Sequence, residues 1–516
     1  MTAPDTSTAA PAWTPPTIPR RTWLAFAVLI LGVAMSLLDT TIVNVALPVI
    51  RESINADEAT LSWIISGYAL AYGLALIPAG RIGDRVGHKW VFIVGLVVFT
   101  AASAWAGLAQ DPGSLIVARV VQGLGGGIFF PAVTALIQLM FPGPVRGRAF
   151  AIMGAAIGFS TALGPLVGGL LIEWLGNESG WRSIFFVNLP FGAIALVAAL
   201  ILLPAGAEGK EATGADLLGL VLVAGGLTAI LVPLIQGQDE GWPAWTYVSM
   251  ASGLVLLVLF AFWEVAVARR GKSPLVPPHL FSHPAFTGGA VLALVYFAAF
   301  TSIFFTISIF WQAGLGHTAL ESGFVSIPFA IGSIIGASQS DRLAGRLGRA
   351  TLSLGTALVS VGLISVWLVL LLVPAQDLTN WDLLPPLLVA GIGSGLFIAP
   401  NAQFIVATVD RAEAGAASGV IGTVQRIGSA IGIAVIGSVF FGNLPADFGP
   451  TPEQAQQAAG DRDAIQAIVD HNLAVGFGHS ATISLFLSAC FAVVAFLLVF
   501  VLPKRVSRGY EVPAGE

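Results

Sequence analysis

The segment RIGDRVGHK at residues 81–89 has a partner, RLAGRLGRA at residues 342–350, and this repetition decides how the chain is divided. Both arginines of the first copy align with arginines of the second at a constant offset of 261 residues. A second pair of segments, beginning at Gly147 and Gly415, aligns three glycines at an offset of 268 residues. Glycines align easily by chance in a chain that contains 60 of them, so the charged repeat is the stronger evidence. Two offsets this similar predict two structurally equivalent halves.

The composition indicates a protein that crosses a membrane many times. Of the 516 residues, 56% are hydrophobic and only 10% are charged, and the mean hydropathy is +0.88. Too few polar side chains remain to cover a water-soluble globule of this size. The net charge of -5 gives no reason to expect a nucleic-acid partner. Because the single cysteine, Cys490, lies in the last apolar run, no intramolecular disulfide is expected.

Fourteen apolar runs are long enough to cross a bilayer as helices. Two central runs separate a first group of six from a last group of six. We therefore predict an all-α integral membrane protein of two six-helix bundles with two additional central helices. The predicted spans are 24–50, 61–80, 89–109, 114–141, 148–175, 182–203, 216–236, 244–267, 285–311, 319–340, 350–373, 382–407, 413–441 and 479–502. The predicted domains are a disordered tail 1–22, an N-terminal bundle 23–204, the additional helices and linkers 205–284, a C-terminal bundle 285–503 that includes an extracytoplasmic loop 442–478, and a tail 504–516.

Lysine and arginine residues are distributed unequally between the two sides of the predicted helices. The side that carries both termini has 18 of the 23, the other side has three, and Arg119 and Arg426 lie within spans. Because positive charges favour the cytoplasmic side, we expect both termini in the cytoplasm and the protein in the cell membrane. Arg20 and Arg21 could suggest a twin-arginine export signal, but the apolar run that follows is too long for one.

Several motifs resemble those of the major facilitator superfamily. They are GRIGDRVGHKW after the second span, ARVVQGLGGG in the fourth and GAAIGFSTALGPLVGG in the fifth. LDTTIVNVALP in the first span, WRSIFFVNLPFG at the sixth and the count of fourteen helices resemble the fourteen-helix drug:proton antiporters of that superfamily. The resemblance extends over nearly everything after residue 20. It implies a major facilitator fold and multidrug efflux, with no cofactor and no metal site.

The loop after the second span concentrates charges between glycines that permit a tight chain reversal. The second copy of this loop has Gly345 at the place of Asp84, so we expect a charged clamp in the first half only. Asp84 should lie near the N-terminus of the thirteenth span, at residues 414–417, where the helix dipole favours a carboxylate, and Glu413 should point away. The resemblance implies a conformational role for Gly80, Asp84, Arg85, Gly87 and Lys89.

The fifth span resembles the glycine-proline antiporter motif of the exporters in the family. Pro165 removes a backbone donor and kinks the helix. The resemblance implies that a kinked helix with a glycine face seals against its neighbour and limits proton leak. The same glycines are also compatible with helix packing alone. The motif residues are Gly154, Gly158, Gly164, Pro165, Gly168 and Gly169.

Asp39 is the only charged residue between Trp23 and Arg51, within the first span. An ionised aspartate near the centre of a span costs about 2.5 to 3.5 kcal/mol on insertion scales, so it needs a partner or a function. We expect Asp39 to face the cavity and to couple transport to protons, with Arg119 as its partner. The register of Arg119 places two glycines, 123 and 126, on the same face, which predicts close packing of the first and fourth spans. The alternative is an aspartate held only by packing hydrogen bonds to threonine or asparagine.

Polar and aromatic residues within the spans are candidates for lining a substrate cavity. Phe297, Phe300 and Phe304 have helical spacing, although aromatic side chains that face lipid are more common. Uncharged polar residues such as Asn188 either bond neighbouring helices or meet the substrate. An unpaired arginine is costly, so Arg426 should face the cavity and pair with a carbonyl or an anionic group. The cavity candidates are Asn44, Gln122, Phe300, Phe304, Gln312, Asn401 and Arg426.

These observations favour a proton-coupled antiporter that exports amphipathic or hydrophobic organic compounds by alternating access between two bundles. The expected partners are the small-molecule substrate, protons and the lipid bilayer, and the protein is expected to be a monomer. The alternatives are a dedicated exporter of an endogenous metabolite, or of a lipid or cell-envelope component. A membrane enzyme is a more distant alternative, because the six histidines are scattered over loops. A nutrient symporter is equally distant, because its fifth span is not expected to contain GPLVGG. The loop 442–478 either docks an extracytoplasmic partner or caps the exporter.

Single cysteines introduced into a Cys490→Ser background test the predicted orientation. Gln110→Cys and Glu240→Cys should react with an impermeant thiol reagent added outside intact cells, whereas Val145→Cys and Gly271→Cys should not. Labelling at the last of these positions from outside would mean that the two central helices are miscounted.

Overall fold

The computed structural model describes residues 18–503, except 57, 205–215, 238–239, 273, 407–408, 410–412, 446, 452 and 455–460. The predicted tail 504–516 and most of the predicted tail 1–22 lie outside the described residues. In the described part of the chain, every regular element is a helix.

Fourteen spans account for the described helices, as the sequence predicts. Thirteen helices are long and apolar enough to cross a membrane, and the shorter apolar helix Leu218–Leu234 corresponds to the remaining predicted span. This confirms an all-α membrane protein. The helices are α1 (Arg20–Ser53), α2 (Glu58–Val86), α3 (His88–Leu108), α4 (Pro112–Met140), α5 (Gly143–Phe186), α6 (Asn188–Leu202), α7 (Leu217–Gln236), α8 (Ala244–Arg269), α9 (Pro284–Ile309), α10 (Ala319–Val325), α11 (Ile327–Leu347), α12 (Arg349–Leu372), α13 (Asn380–Val406), α14 (Ala414–Gly442) and α15 (Arg462–Val499).

Three connections differ from the sequence prediction. Only Gly87, with a φ of 94°, separates α2 from α3, so most of the charged loop is helical. Within α5, the fifth span ends at Gly176, where φ is 77° and ψ is 165°, and the helix of the sixth span follows without the predicted loop. The last helix begins at Arg462, so the second part of the predicted loop 442–478 is helical. In the first two cases a glycine reverses or bends the chain in a backbone conformation that other residues rarely adopt.

Glycines on α4 allow it to approach α2 at backbone contact. A β-carbon on Gly123 would clash with the carbonyl oxygen of Tyr68, and one on Gly126 would lie 2.8 Å from the ring of Tyr72. Both tyrosines belong to α2. The prediction that these glycines pack α4 against α1 is therefore wrong, because the long side chain of Arg119 bridges α4 to α1 instead.

Each half of the chain has its own apolar core. Rings of Phe92, Phe99 and Phe129 pack edge to face within the first half. In the second half, Tyr296 packs against Phe397 with ring centroids 4.1 Å apart. The halves meet mainly along two helix pairs, α2 with α14 and α5 with α11, with further contacts of α5 with α10 and α13 and of α4 with α14. The exact domain boundaries remain a prediction from the sequence.

The two additional helices pack outside one of these seams. Leu231 of α7 touches Gly73 of α2, and its neighbours on α7 share an apolar cluster with Ala417 and Val420 of α14. α8 packs mainly on α7. Near the end of α8, the buried Glu264 carboxylate accepts a hydrogen bond of 2.8 Å from the backbone of Val276, which follows that helix. The inserted pair therefore covers the outer side of the α2–α14 seam.

The glycine contacts inside a bundle give a stability prediction. A β-carbon on Gly125 of α4 would lie 2.5 Å from the backbone nitrogen of Phe99 of α3, so Gly125→Ala must push two helices apart. Overpacking of this kind costs about 1–3 kcal/mol, and we expect a lower midpoint of thermal unfolding in detergent. Gly345→Ala is the matched control, because nothing lies within 4 Å of its β-carbon position. Equal midpoints for the two variants would contradict the packing.

Candidate functional site

Asp39 of α1 is completely buried within the first half of the molecule. Its Oδ2 atom accepts a hydrogen bond of 2.6 Å from Nη1 of Arg119 on α4. Its Oδ1 atom accepts hydrogen bonds of 2.8 Å from the Gln122 amide and of 3.0 Å from the Asn188 amide. The carboxylate thus receives three donors from α4 and α6. These donors replace the water that the membrane interior lacks.

Arg119 is itself held by several groups and is almost fully buried. Its Nε donates to the carbonyl oxygen of Ile64 at 3.2 Å, and its Nη1 also donates to Gln122 at 2.7 Å. The guanidinium carbon lies 4.2 Å from the ring centroid of Tyr68 and 5.7 Å from that of Phe185. Aromatic faces attract a cation without offering it a second charge. The pair with Asp39 is therefore fixed in position from α2, α4 and the end of α5.

Asn188 and Ser103 form the outer part of this network. Of the two roles that the sequence left open for Asn188, this structure shows the bonding of neighbouring helices, whereas sequence reasoning missed Ser103. The Asn188 amide donates to the Ser103 hydroxyl at 3.1 Å, and that hydroxyl donates to the carbonyl oxygen of Phe185 at 2.9 Å. Asn188 lies within the sixth span, directly after the helical residue Val187. The signal that could have placed Asn188 in this network is WRSIFFVNLPFG, which contains both Phe185 and Asn188.

A second polar contact joins the halves on the side of the membrane that carries the termini, called here the terminal side. The backbone N–H groups of Gly415 and Ala416 donate to the two carboxylate oxygens of Asp84 at 2.9 and 3.0 Å. His88 lies 3.3 Å from the same carboxylate. A carboxylate at a helix N-terminus satisfies backbone donors and favours the helix dipole. Asp84 therefore caps α14 from α2.

The other residues of the predicted conformational loop have separate positions. Lys89 donates to the carbonyl oxygens of residues 200 and 203 at 2.9 and 3.0 Å, at the end of α6. Gly80 lies against Gly415, where a β-carbon would clash with a carbonyl oxygen. Arg85 is half-buried in the last turn of α2. Glu413 contacts His279 at 2.9 Å.

The predicted antiporter motif lies on two faces of α5. Toward α1, β-carbons on Gly164 and Gly168 would meet Thr41 and Ile42. Toward the second half, β-carbons on other motif glycines would meet side chains of α10, α11 and α13. Those contacts are Gly154 with Ala399, Gly158 with Ser333, and Gly169 with Leu320. Pro165 lies against Gly323, between α5 and α10. α5 is thus a close-packed contact between the halves.

Several cavity candidates are engaged in packing in this structure. Gln122 belongs to the Asp39 network, and the buried Asn401 amide donates to the carbonyl oxygen of Gly289 at 3.3 Å. Phe300 and Phe304 pack against Phe329 in the core of the second half, rather than against lipid.

The other three cavity candidates are at least partly exposed. Asn44 is exposed on α1, and Gln312 donates to the Ser308 hydroxyl at 2.8 Å in a wide turn after α9. Arg426 is half-buried, with its guanidinium carbon 4.0 Å from the ring centroid of Tyr72. The pairing of Arg426 with a carbonyl or an anionic group stays a prediction, and its contact in this structure is an aromatic face.

The sequence matches the model of the Major Facilitator Superfamily over residues 29–217 and 213–433. The chain belongs to this superfamily. Membership makes it a multi-pass membrane transporter and not an enzyme, as the motifs predict.

Relatives of this Major Facilitator Superfamily member include proteins named for antibiotics. It is 37% identical over 433 residues to the probable actinorhodin transporter of Streptomyces coelicolor, and the alignment covers 83% of this chain and 74% of the relative. It is 35% identical over 403 residues to the cephamycin export protein CmcT of Amycolatopsis lactamdurans, which covers 77% of this chain and 81% of the relative. These relatives confirm the resemblance to the drug-efflux members of the superfamily.

A solved structure has the same fold as this superfamily member at low sequence identity. The proton:xylose symporter XylE, bound to 6-bromo-6-deoxy-D-glucose, superposes with a TM-score of 0.61 and 14% identity. The match covers 93% of this chain and 95% of XylE. At this identity the likeness concerns the fold alone, and it confirms the major facilitator fold.

The contact of Asp84 with α14 can be tested by hydrogen exchange. Asp84→Asn removes the charge at the N-terminus of α14, and this charge contributes about 1 kcal/mol. Amide exchange at residues 415–416 should therefore rise about fivefold, and the turnover of transport should fall. Asp463→Asn is the control, because this aspartate lies exposed in the first turn of α15. Unchanged exchange in the first variant would contradict the clamp.

Proposed function

We propose that the chain is a proton-coupled antiporter that exports amphipathic organic compounds across the cytoplasmic membrane. The observation that carries this proposal is Asp39, a carboxylate with no exposed surface inside a membrane span. Ionisable groups at such depth are costly and usually functional. A carboxylate is also the kind of group that can bind and release a proton during a transport cycle.

The hydrogen bonds of Asp39 suggest how a proton changes the structure. In the ionised state, the carboxylate ties α1 to α4 through Arg119 and Gln122 and to α6 through Asn188. Protonation removes the negative charge that holds Arg119, so α1 is released from this attachment. Proton binding from outside and release to the cytoplasm then accompany the two positions of α1 in an alternating-access cycle.

The electrochemical gradient of protons across the membrane supplies enough energy for this exchange. One elementary charge gains about 2.3 kcal/mol per 100 mV, so one proton entering down a gradient of about 150 mV supplies roughly 3.5 kcal/mol. This energy supports a substrate gradient of several hundredfold. The close contacts of α5 with both halves are consistent with a path that admits no free proton flow.

Orientation and assembly belong to the same proposal. We place both termini in the cytoplasm because 18 of the 23 lysines and arginines lie on the terminal side. The Asp84 contact then closes the cytoplasmic end. We take the working unit to be a monomer, because one chain supplies both bundles.

The names of the relatives favour antibiotic-like cargo, and they leave two versions of the function. A multidrug exporter accepts many compounds, whereas a dedicated exporter accepts one endogenous metabolite. The relatives quoted above are each named for one compound, which supports the dedicated version. Transport assays with a panel of cationic, neutral and anionic antibiotics separate the two, because a dedicated exporter responds to a single structural class.

The coupling role of Asp39 can be tested in everted vesicles with an acid interior and a quenching pH dye. Asp39→Asn keeps the size of the side chain and one acceptor oxygen, but it cannot cycle a proton. It should abolish uphill export and substrate-induced proton release, while downhill substrate exchange survives. Asp377→Asn, at an exposed site outside the spans, should behave as the native protein. Uphill export at the native rate by the Asp39 variant would show that another group couples the proton.

A further inference from the structure

Arg426 lies near the middle of α14, at the end of a row of close contacts with α2. Along this row, β-carbons on Gly415 and Gly419 would meet the backbone of residues 80 and 76. Arg426 continues the row and lies over Tyr72. The glycines bring α14 and α2 together on the terminal side. Arg426 is the first large side chain on this face of α14, and it lies near the middle of the membrane span.

The contact with Tyr72 places Arg426 on the inner side of α2. The ring of Tyr72 lies against Gly126 of α4 and 6.0 Å from the ring of Phe130, also on α4. On the outer side of α2, Gly73 touches Leu231 of the added helix α7. α7 covers the outer side of α2, and Arg426 lies on the side of Tyr72. Arg426 therefore faces the space between the halves.

Asn44 of α1 faces the same space. One turn before it, Thr40 lies 3.5 Å from the Tyr68 hydroxyl of α2, and Thr41 lies against Gly164 of α5. α2 and α5 make the main contacts of the first half with the second half, and α4 also meets α14. An exposed residue between them is turned toward the second half. The central space is thus bordered by a neutral amide from α1 and a cation from α14.

The charges around this space do not balance. Asp39 has no exposed surface, and its two oxygens already accept three hydrogen bonds, so a positively charged cargo finds no free carboxylate there. Arg119 neutralises Asp39. Among the described residues, no carboxylate forms an ion pair with Arg426. The space therefore carries one excess positive charge.

Two neighbouring tyrosines, whose rings are tilted by 43° to each other, hold the two arginines apart and in position. Arg119 lies 4.2 Å from the ring centroid of Tyr68, Arg426 lies 4.0 Å from that of Tyr72, and the two rings are 5.9 Å apart. An aromatic face attracts a guanidinium but occupies none of its N–H donors in the plane. Those donors form a planar fork that matches a carboxylate or a similar oxyanion. Arg426 is half-buried, so this fork can reach a ligand.

We propose that Arg426 binds an ionised acidic group of the cargo, so that the exporter selects amphipathic organic anions over cations. Asn44 and the tyrosine rings then contact the uncharged part of the molecule. This inference rests on the proposed export function and specifies its substrate class. It also sets the charge balance: one proton inward and one monoanion outward move two positive charges inward, so an inside-negative potential drives the exchange.

Three anthracene probes with the same ring system test this charge selection. They are 9-anthracenecarboxylate, its neutral carboxamide and the cationic 9-(aminomethyl)anthracene. Binding to the purified full chain in phosphatidylcholine nanodiscs is measured by probe fluorescence at neutral pH. The native protein should bind the carboxylate about tenfold more tightly than the other two, as expected for a charge-assisted hydrogen bond. Arg426→Gln should abolish this preference, and Arg426→Lys should keep part of it.

The controls separate a binding role from a structural one. The carboxamide affinity should be the same in the native protein and Arg426→Gln, because it does not depend on the charge. Arg462→Gln, at an exposed arginine that begins α15, should keep the carboxylate preference. The proposal is overturned if the native protein binds all three probes equally, binds none or prefers the amine, or if Arg426→Gln weakens the carboxamide as much as the carboxylate.

Two further measurements separate this inference from neighbouring ones. Adding phosphatidylglycerol to the nanodiscs should leave the affinity for 9-anthracenecarboxylate unchanged. A loss of this affinity when the lipid is added would assign the site to a lipid headgroup. Asp39→Asn should keep the binding preference and lose only uphill transport. Charge selection without proton coupling would refute the proposed antiport alone, and proton coupling without charge selection would refute the role of Arg426 alone.

Discussion

The carboxylate of Asp39 must obtain from the protein what water provides elsewhere, and this requirement organises the first half of the molecule. A buried charge is tolerated only with a counter-charge and with its remaining lone pairs satisfied. Arg119, Gln122 and Asn188 supply those groups from α4 and α6. Tyr68 supports Arg119 from α2. The network therefore links four helices, and loss or gain of one proton at its centre changes an interaction that all four share.

Close helix packing makes such a change mechanically effective. Lipid provides little hydrophobic force between helices, so association depends on backbone approach at small residues. Glycines of α5 meet α1 on one face and the second half on the other, and Gly415 and Gly419 bring α14 onto α2. A displacement of α1 is therefore transmitted by van der Waals contact. The Asp84 cap on α14 adds a polar contact to the same seam on the terminal side.

The second half differs from the first despite the internal repeat. Gly345 stands where the first half has Asp84, and Arg426 aligns with Gly158 in the repeat. The first half thus contributes the buried carboxylate and the charged clamp, and the second contributes a cation without a carboxylate partner among the described residues. Such asymmetry is consistent with a division of roles. The first half binds and releases the proton, and the second half contributes the positive charge of the central space.

The sequence by itself determined the helix count, the twofold repeat, the charge bias between the two sides and the need of Asp39 for a partner, because hydropathy and charge act along the chain and are visible in one dimension. Only the tertiary structure decided which neighbours meet. Gly123 and Gly126 face α2 instead of α1, Gln122 and Asn188 complete the Asp39 network, and Arg426 lies on Tyr72. The periodicity of a helix shows which residues share a face, but not which helix packs against it. That choice depends on backbone approach and side-chain length across contacts distant in sequence.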